Sequence, residues 1–171
     1  MFLDETWIKT NLTRLYGRGP TDQRVVEAVP HGHWMTTTSV AAPRTTGLTA
    51  PMVVDGAING DLFRAYVEQV LAPTPKPGDV VVMDNLSSHK VAGVREAIRA
   101  AGADVLYLPP YSPDLNPIEQ TFSKFKAEVR KRKPRTKTEC DALCGEGLDW
   151  FPAGRCRNYI RHAGYIPQER N

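Results

Sequence analysis

Apolar positions in the first half of the chain fall in short runs rather than at helical spacing. MFLDETW, at the very start, reads as a strand. LYGRGPTDQ supplies turn residues, and RVVEAVP (24–30) and HWMTTTSVAA (33–42) are β-branched runs of strand type. TAPMVVDGAI (49–58) predicts a further strand that ends at Asp55 and Gly56. The period then changes. Asn59 stands as an N-cap before GDLFRAYVEQVLA, in which Leu62, Phe63, Tyr66, Val67 and Val70 recur at helical spacing. The stiff linker APTPKPGD leads into VVVMD, whose apolar run without polar alternation predicts a strand covered on both faces and ending at Asp84. VAGVREAIRAAG predicts a helix closed by Gly102, and ADVLYLPP the next strand; strand, helix, strand implies a right-handed parallel crossover. A helix from Pro117 to about Lys133 carries Ile118, Phe122, Phe125 and Val129 on its buried face and stops at Pro134. The remainder, TKTECDALCGEGLDWFPAGRCRNYIRHAGY, predicts one or two short helices packed back on the domain. Strands first, then alternating helix and strand, predict an α/β domain with a mixed sheet.

Composition narrows this picture without changing it. The 171 residues are enough for one domain with its own core, and 41% hydrophobic with 24% charged residues is ordinary for a soluble protein. No apolar stretch approaches a membrane span, and the N-terminus has no signal-peptide pattern. Three cysteines, Cys140, Cys144 and Cys156, make a disulfide framework improbable and fit a reducing cytosol.

Charge does change the picture. The net charge of +3 hides a run from Lys124 to Lys137 that carries +7, with Glu128 its one acidic residue. Lys124, Lys126, Arg130, Lys131, Arg132 and Lys133 belong to it, and such density suits a polyanion such as nucleic acid. A solvated helix end, where cations complement the macrodipole, accounts for the same residues.

Three carboxylates stand where chemistry is expected. Asp84 closes a buried strand at its carboxyl end, where open α/β sheets place ligands, and it lies too early to cap the next helix. Asp4 and Glu5 are neighbours on the first strand; alternation sends only one of them toward a site, and pattern alone does not choose. Glu119 follows YLPPYSPDLNPIEQ, whose four prolines leave the backbone few conformations. Asn116, Pro117 and Glu119 fit N-cap, N1 and N3 of a capping box, yet capping does not require such a rigid approach, whereas holding a carboxylate in place does. Carboxylates gathered around one point favour Mg²⁺ or Mn²⁺, and two such ions can clamp the attacking and leaving oxygens of a phosphodiester.

The DET of the first strand, VVMDNLSSHK and LPPYSPDLNPIEQTFSKFK together resemble the three catalytic blocks of bacterial insertion-sequence transposases related to the mariner group, within the DDE superfamily. The 34 residues between Asp84 and Glu119 match that group's spacing. The resemblance covers nearly the whole chain and implies a ribonuclease-H-like mixed five-stranded sheet flanked by helices, with the first and fourth strands parallel neighbours. It implies a catalytic domain over residues 1–135 and a C-terminal helical extension over 136–171 on the same domain. Asp4, rather than Glu5, is then the first catalytic carboxylate, Asp84 the second and Glu119 the third. Two Mg²⁺ or Mn²⁺ ions are expected, Asp4 bridging both, with DNA ends and target as partners and Lys124, Lys126, Arg130, Lys131, Arg132 and Lys133 on phosphates. A homodimer or higher oligomer on DNA, in the bacterial cytoplasm and associated with the nucleoid, completes the expectation. Family members carry helix-turn-helix domains upstream, whereas this chain starts three residues before Asp4. A split reading frame, an excised piece or a decayed fragment each fits that start. The rival readings are a ribonuclease-H-like nuclease that does not join ends, and a non-catalytic fragment that assembles with or inhibits a complete transposase.

Weaker signals surround this core. His89 matches the histidine of the second block and suits a phosphate or a metal-bound water, and Asn85 suits holding the loop or a carboxylate. His31 and His33 lack a third ligand, and Cys140, Cys144, Cys156 and His162 fit no standard zinc spacing. Ser87 and Ser88 beside His89 do not form a triad. Asp55 and Asp114 are reserve carboxylates, and Arg14, Arg18 and Arg24 are further candidates for the DNA backbone.

Overall fold

VVVM forms a strand whose last three residues are buried, because nothing polar interrupts it. In the computed structural model, which describes residues 1–165, it is strand β4 (Val80–Met83). Val81 and Met83 face one side and Val82 the other, and helices cover both. The remaining strands are β1 (Phe2–Lys9), β2 (Thr36–Arg44), β3 (Gly47–Asp55) and β5 (Asp104–Tyr107). They form one mixed sheet in the order β3-β2-β1-β4-β5. The hairpin β2–β3 and the pair β1–β2 are antiparallel; β1–β4 and β4–β5 are parallel. The fourth strand therefore lies beside the first, as the family resemblance implies.

One face is covered by α1 (Gly60–Tyr66), its π-helical continuation Val67–Leu71, and α2 (Val94–Ala100). The Asn59 side chain caps α1 by accepting the Leu62 N–H at 2.9 Å. Phe63, Tyr66, Val67 and Leu71 pack there with Leu3, Val81, Met83, Val94 and Ile98, each side chain contributing about 1.5–3 kcal/mol by leaving water. The wider turn brings Leu71 rather than Val70 fully into the core.

The other face is covered by α3 (Ile118–Arg132), α4 (Lys137–Gly147) and α5 (Ala153–His162). Phe125 and Val129 of α3 meet Ile8, Cys140, Leu143, Cys144 and Cys156, so the three cysteines are free thiols in a core rather than a zinc site. Burial pushes the Cys144 thiol up to about 12. α3 ends as its sequence predicts, with Lys133 in the left-handed region (φ 53°) and Pro134 next. Residues 166–171 of the expected C-terminal extension lie outside the described residues.

One expected strand is absent. RVVEAVP belongs to an exposed irregular loop between β1 and β2, with Val25, Val26 and Val29 largely in solvent. Its β-branched residues have no neighbouring strand to pair with, and β preference is realised only against one. No described helix is long and apolar enough to cross a membrane.

Candidate active site

Strand lengths create the site. β1 has eight residues and β4 four, and their pairing ends at Phe2–Val82 and Leu3–Met83. From Asp4 onward β1 runs past β4, leaving its edge open at the carboxyl end of both strands. Asp84 follows β4 directly, and the first turn of α3 brings Glu119 across the opening. A cleft of about 290 Å³ results, lined by Asp4, Glu5, Trp7, Asp84, Glu119 and Lys126 among others.

Both members of the Asp4–Glu5 pair reach this cleft, contrary to the expectation that strand alternation would admit only one. The open edge lets neighbouring side chains approach it from opposite faces of the sheet. Asp4 is 7% exposed. Its Oδ1 accepts the Glu5 N–H at 2.8 Å and its Oδ2 accepts Asn116 Nδ2 at 3.1 Å. Burial, then the charges of Asp84 and Glu5, push its carboxyl up to about 7.

Glu5 turns instead toward His89, whose Nε2 lies 2.7 Å from its Oε2. His89 is fully buried, stacks at 4.4 Å on Phe63, and brings Nδ1 to 2.6 Å from Asp84 Oδ1 in a poorly aligned contact. Burial opposes its charge, but the contacts with Asp84 and Glu5 prevail and raise it to about 9. The imidazolium thus ties two carboxylates together. Asp84, in turn, is held below the usual carboxylate range: burial works against this, but His89 and the Leu86 N–H, 3.0 Å from its Oδ1, outweigh it. Ligand atoms of Asp4, Glu5 and His89 converge within 4.8 Å. With a proton held on a ring that faces carboxylates at both nitrogens, His89 suits positioning better than metal ligation.

Glu119 forms no capping box. Asn116 gives its N–H to the Pro113 carbonyl at 3.0 Å and its side-chain amide to Asp4, so the expected N-cap is used elsewhere. Asn116 Oδ1 is buried without a partner among the described residues. The Glu119 side chain is exposed toward the cleft and has no hydrogen bond or ion pair among the described residues. A second cleft of about 410 Å³ shares Asp84 and Glu119 with the first and is walled by Asn85, Pro109, Pro110 and Tyr111. Tyr111 is fully exposed at φ 57°, an unfavourable backbone state for an aromatic residue. Asn85 bonds to no carboxylate among the described residues.

Lys126 joins the basic run to the carboxylates. Two turns after Glu119, it lines the same cleft, with Nζ 4.6 Å over the Trp7 ring. Much of the remaining run is engaged in ion pairs: Lys124 and Lys131 with Glu128, Arg132 with Glu146, and Lys133 with Glu27. Arg130 follows Lys126 at helical spacing, its Nε buried without a partner among the described residues. Arg135 binds the backbone carbonyls of Thr10 and Leu12. Asp55 and Asp114 line neither cleft, while His31, His33, Arg14, Arg18 and Arg24 are exposed on the β1–β2 loop. Sequence patterning missed Asn116 as the partner of Asp4 and Trp7 as a wall of the cleft; neither residue carries a periodic signal.

A family model described as DDE superfamily endonuclease matches residues 1–141. The chain belongs to this superfamily. Solved structures similar to it include the Mos1 mariner paired-end complex with Mn, at TM-score 0.73 and 17% identity over 95% of this chain and 50% of that one. The Mos1 strand transfer complex matches at TM-score 0.70 and 17% identity, over 95% of this chain and 49% of that one. The Mos1 transposase catalytic domain with Raltegravir and Mg matches at 0.62 and 14% identity, over 98% and 84%. The fold is ribonuclease-H-like, and the chain spans about half the length of the chains in those two complexes. Among curated proteins no relative matches.

Proposed function

We propose that this DDE endonuclease is the catalytic domain of a DNA transposase of the bacterial insertion-sequence, mariner-related kind, which cuts DNA strands and joins the freed 3′ ends to a target. Its setting is the bacterial nucleoid, and its working form a homodimer or higher oligomer on DNA. The observation that carries the reading is the convergence of Asp4, Asp84 and Glu119 on one cleft at the end of two parallel strands. Asp4 holds a raised carboxyl beside two other acids, and Glu119 lacks a protein partner among the described residues, a donor set that fits hard cations. Asp4, Asp84 and Glu119 would hold Mg²⁺ or Mn²⁺ here, two ions being expected, and the metal would supply activation of a water or 3′-hydroxyl nucleophile and stabilisation of the leaving oxygen.

The chain's own residues prepare that chemistry. Asn116 and the Glu5 N–H fix both oxygens of Asp4. His89 restrains Asp84 and Glu5 from the core side, leaving the cleft side for ligands. Lys126 places a positive charge at the wall, where a scissile phosphate brings negative charge. Incubation of this chain with a pre-cleaved transposon end, target DNA and Mn²⁺ should give nicking and strand transfer, both lost in Asp84→Asn and Glu119→Gln. Cleavage without joining would favour a nuclease; neither activity, with intact metal binding, would favour a non-catalytic partner of a complete transposase.

A further inference from the structure

Beyond Asp4 the open edge of β1 carries a feature that the carboxylate chemistry does not require. Trp7, on this edge, and Trp34, on the β1–β2 loop, are 50% and 49% exposed. Lys9 Nζ lies 4.8 Å from the Trp7 ring centre and 5.5 Å from that of Trp34, so the two indoles are neighbours bridged by one ammonium. Lys126 Nζ lies 4.6 Å from the Trp7 ring, and both Trp7 and Lys126 line the carboxylate cleft. Lys9 and Lys126 form no ion pair with an acidic side chain among the described residues, unlike Lys124, Lys131, Arg132 and Lys133. The row Lys126, Trp7, Lys9, Trp34 thus leads away from the cleft with positive charge and flat apolar surface interleaved.

That alternation fits one class of ligand. Duplex DNA hides its base faces and presents phosphates and groove edges, neither of which calls for exposed indole faces. An unpaired strand offers a base face and a phosphate at each nucleotide, and exposed aromatic rings among cations are how proteins hold such strands. We propose that Trp7 and Trp34, with Lys9 and Lys126, form a track for the unpaired DNA strand beside the scissile phosphate, its bases on the indoles and its phosphates on the ammoniums. The track gives the proposed DNA-cutting site a preference for locally opened DNA, because stacking on the indoles compensates for lost base stacking. Its connection to cleavage rests on the transposase reading, but its binding does not.

The test is equilibrium binding of a labelled 20-nucleotide oligo(dT) and of a 20-base-pair duplex to this chain in EDTA, where metal-dependent cleavage is silent. Trp7→Ala/Trp34→Ala should weaken oligo(dT) binding about tenfold or more and leave duplex binding within about twofold. Trp7→Phe/Trp34→Phe, which keeps a ring at each position, should retain most of the affinity and guards against misfolding as the cause. A Trp150→Phe background leaves Trp7 and Trp34 as the two emitters, and oligo(dT) should quench them. Equal losses for single strand and duplex, unchanged binding in the alanine variant, or no quenching would overturn the track. Preferential single-strand binding without Mn²⁺-dependent cleavage would keep the track and sink the catalytic reading; cleavage without that preference would do the reverse.

Discussion

Asp4 and His89 both hold a proton more tightly in the folded chain, and pH separates them because their windows differ. Asp4 rises from 3.8 to about 7 in the folded, metal-free chain. A carboxyl raised in this way contributes stability below its unfolded pKa and loses it as pH climbs through its folded one. Across pH 4 to 7 the loss is on the order of a few kcal/mol, at about 1.4 kcal/mol per unit. Asp4→Asn cannot deprotonate, so its metal-free melting temperature should gain on wild type as pH rises from 4 to 8, and saturating Mg²⁺ should remove the wild-type deficit. Parallel pH dependence of the two proteins would discard this account of Asp4. His89, raised from 6.5 to about 9, stabilises fully below 6.5 and loses that contribution as pH rises through 9. His89→Gln should therefore lack a decline between those values, as thermal melts over pH 6 to 10 can show. The sequence supplied Asp4, Glu5, Asp84 and His89 as candidates but not their pairing, because the distance of 84 residues between Glu5 and His89 is closed only by the parallel β1–β4 contact.

At the scale of elements, the start of α3 shows what local pattern can and cannot decide. Asn-Pro-Ile-Glu reads equally as a capping box or as a carboxylate delivered by a rigid loop. The Asn116 side chain reaches Asp4 instead of the helix N-terminus, so the capping box is not formed. Glu119→Gln should therefore leave stability within about 0.5 kcal/mol by urea denaturation while abolishing DNA cleavage. Because Gln also serves at N3 of a capping box, stability does not separate the two roles; intact cleavage in the Gln variant would restore the capping role. By contrast, β4, the hairpin strands and the buried face of α3 were legible, since each rests on patterning within one segment. The strand expected at 24–30 was not, because strand formation needs a partner that composition does not reveal. The cysteines of α4 and α5 looked ambiguous for a related reason: only the packing of those helices against Ile8 and Phe125 shows them to be core.

For the whole molecule the question is how much of the +7 run is free to meet DNA. Glu27 from the β1–β2 loop and Glu146 from α4 neutralise two of its cations, joining Glu128 within α3. These exposed pairs are worth about 0–1 kcal/mol each, so phosphates can displace the acids at little cost. The run can therefore act as a DNA surface despite being paired, and salt dependence measures how much of it does. Each phosphate contact contributes a log–log slope of about −0.9. Replacing Arg130, Lys131, Arg132 and Lys133 by Gln should flatten the slope for duplex binding by roughly two to four units. Mn²⁺-induced thermal stabilisation, about 2.7 kcal/mol at a hundredfold excess over Kd, should be unaffected by that change. Lys126→Gln should behave differently: as a wall of the carboxylate cleft, it should alter the salt slope by about one unit and also tighten Mn²⁺ binding, because a neighbouring cation is removed. An unchanged slope in the quadruple variant would mark the helix end as a solvated face, leaving the β1 edge with Lys9 and Lys126 as the route of DNA into the cleft.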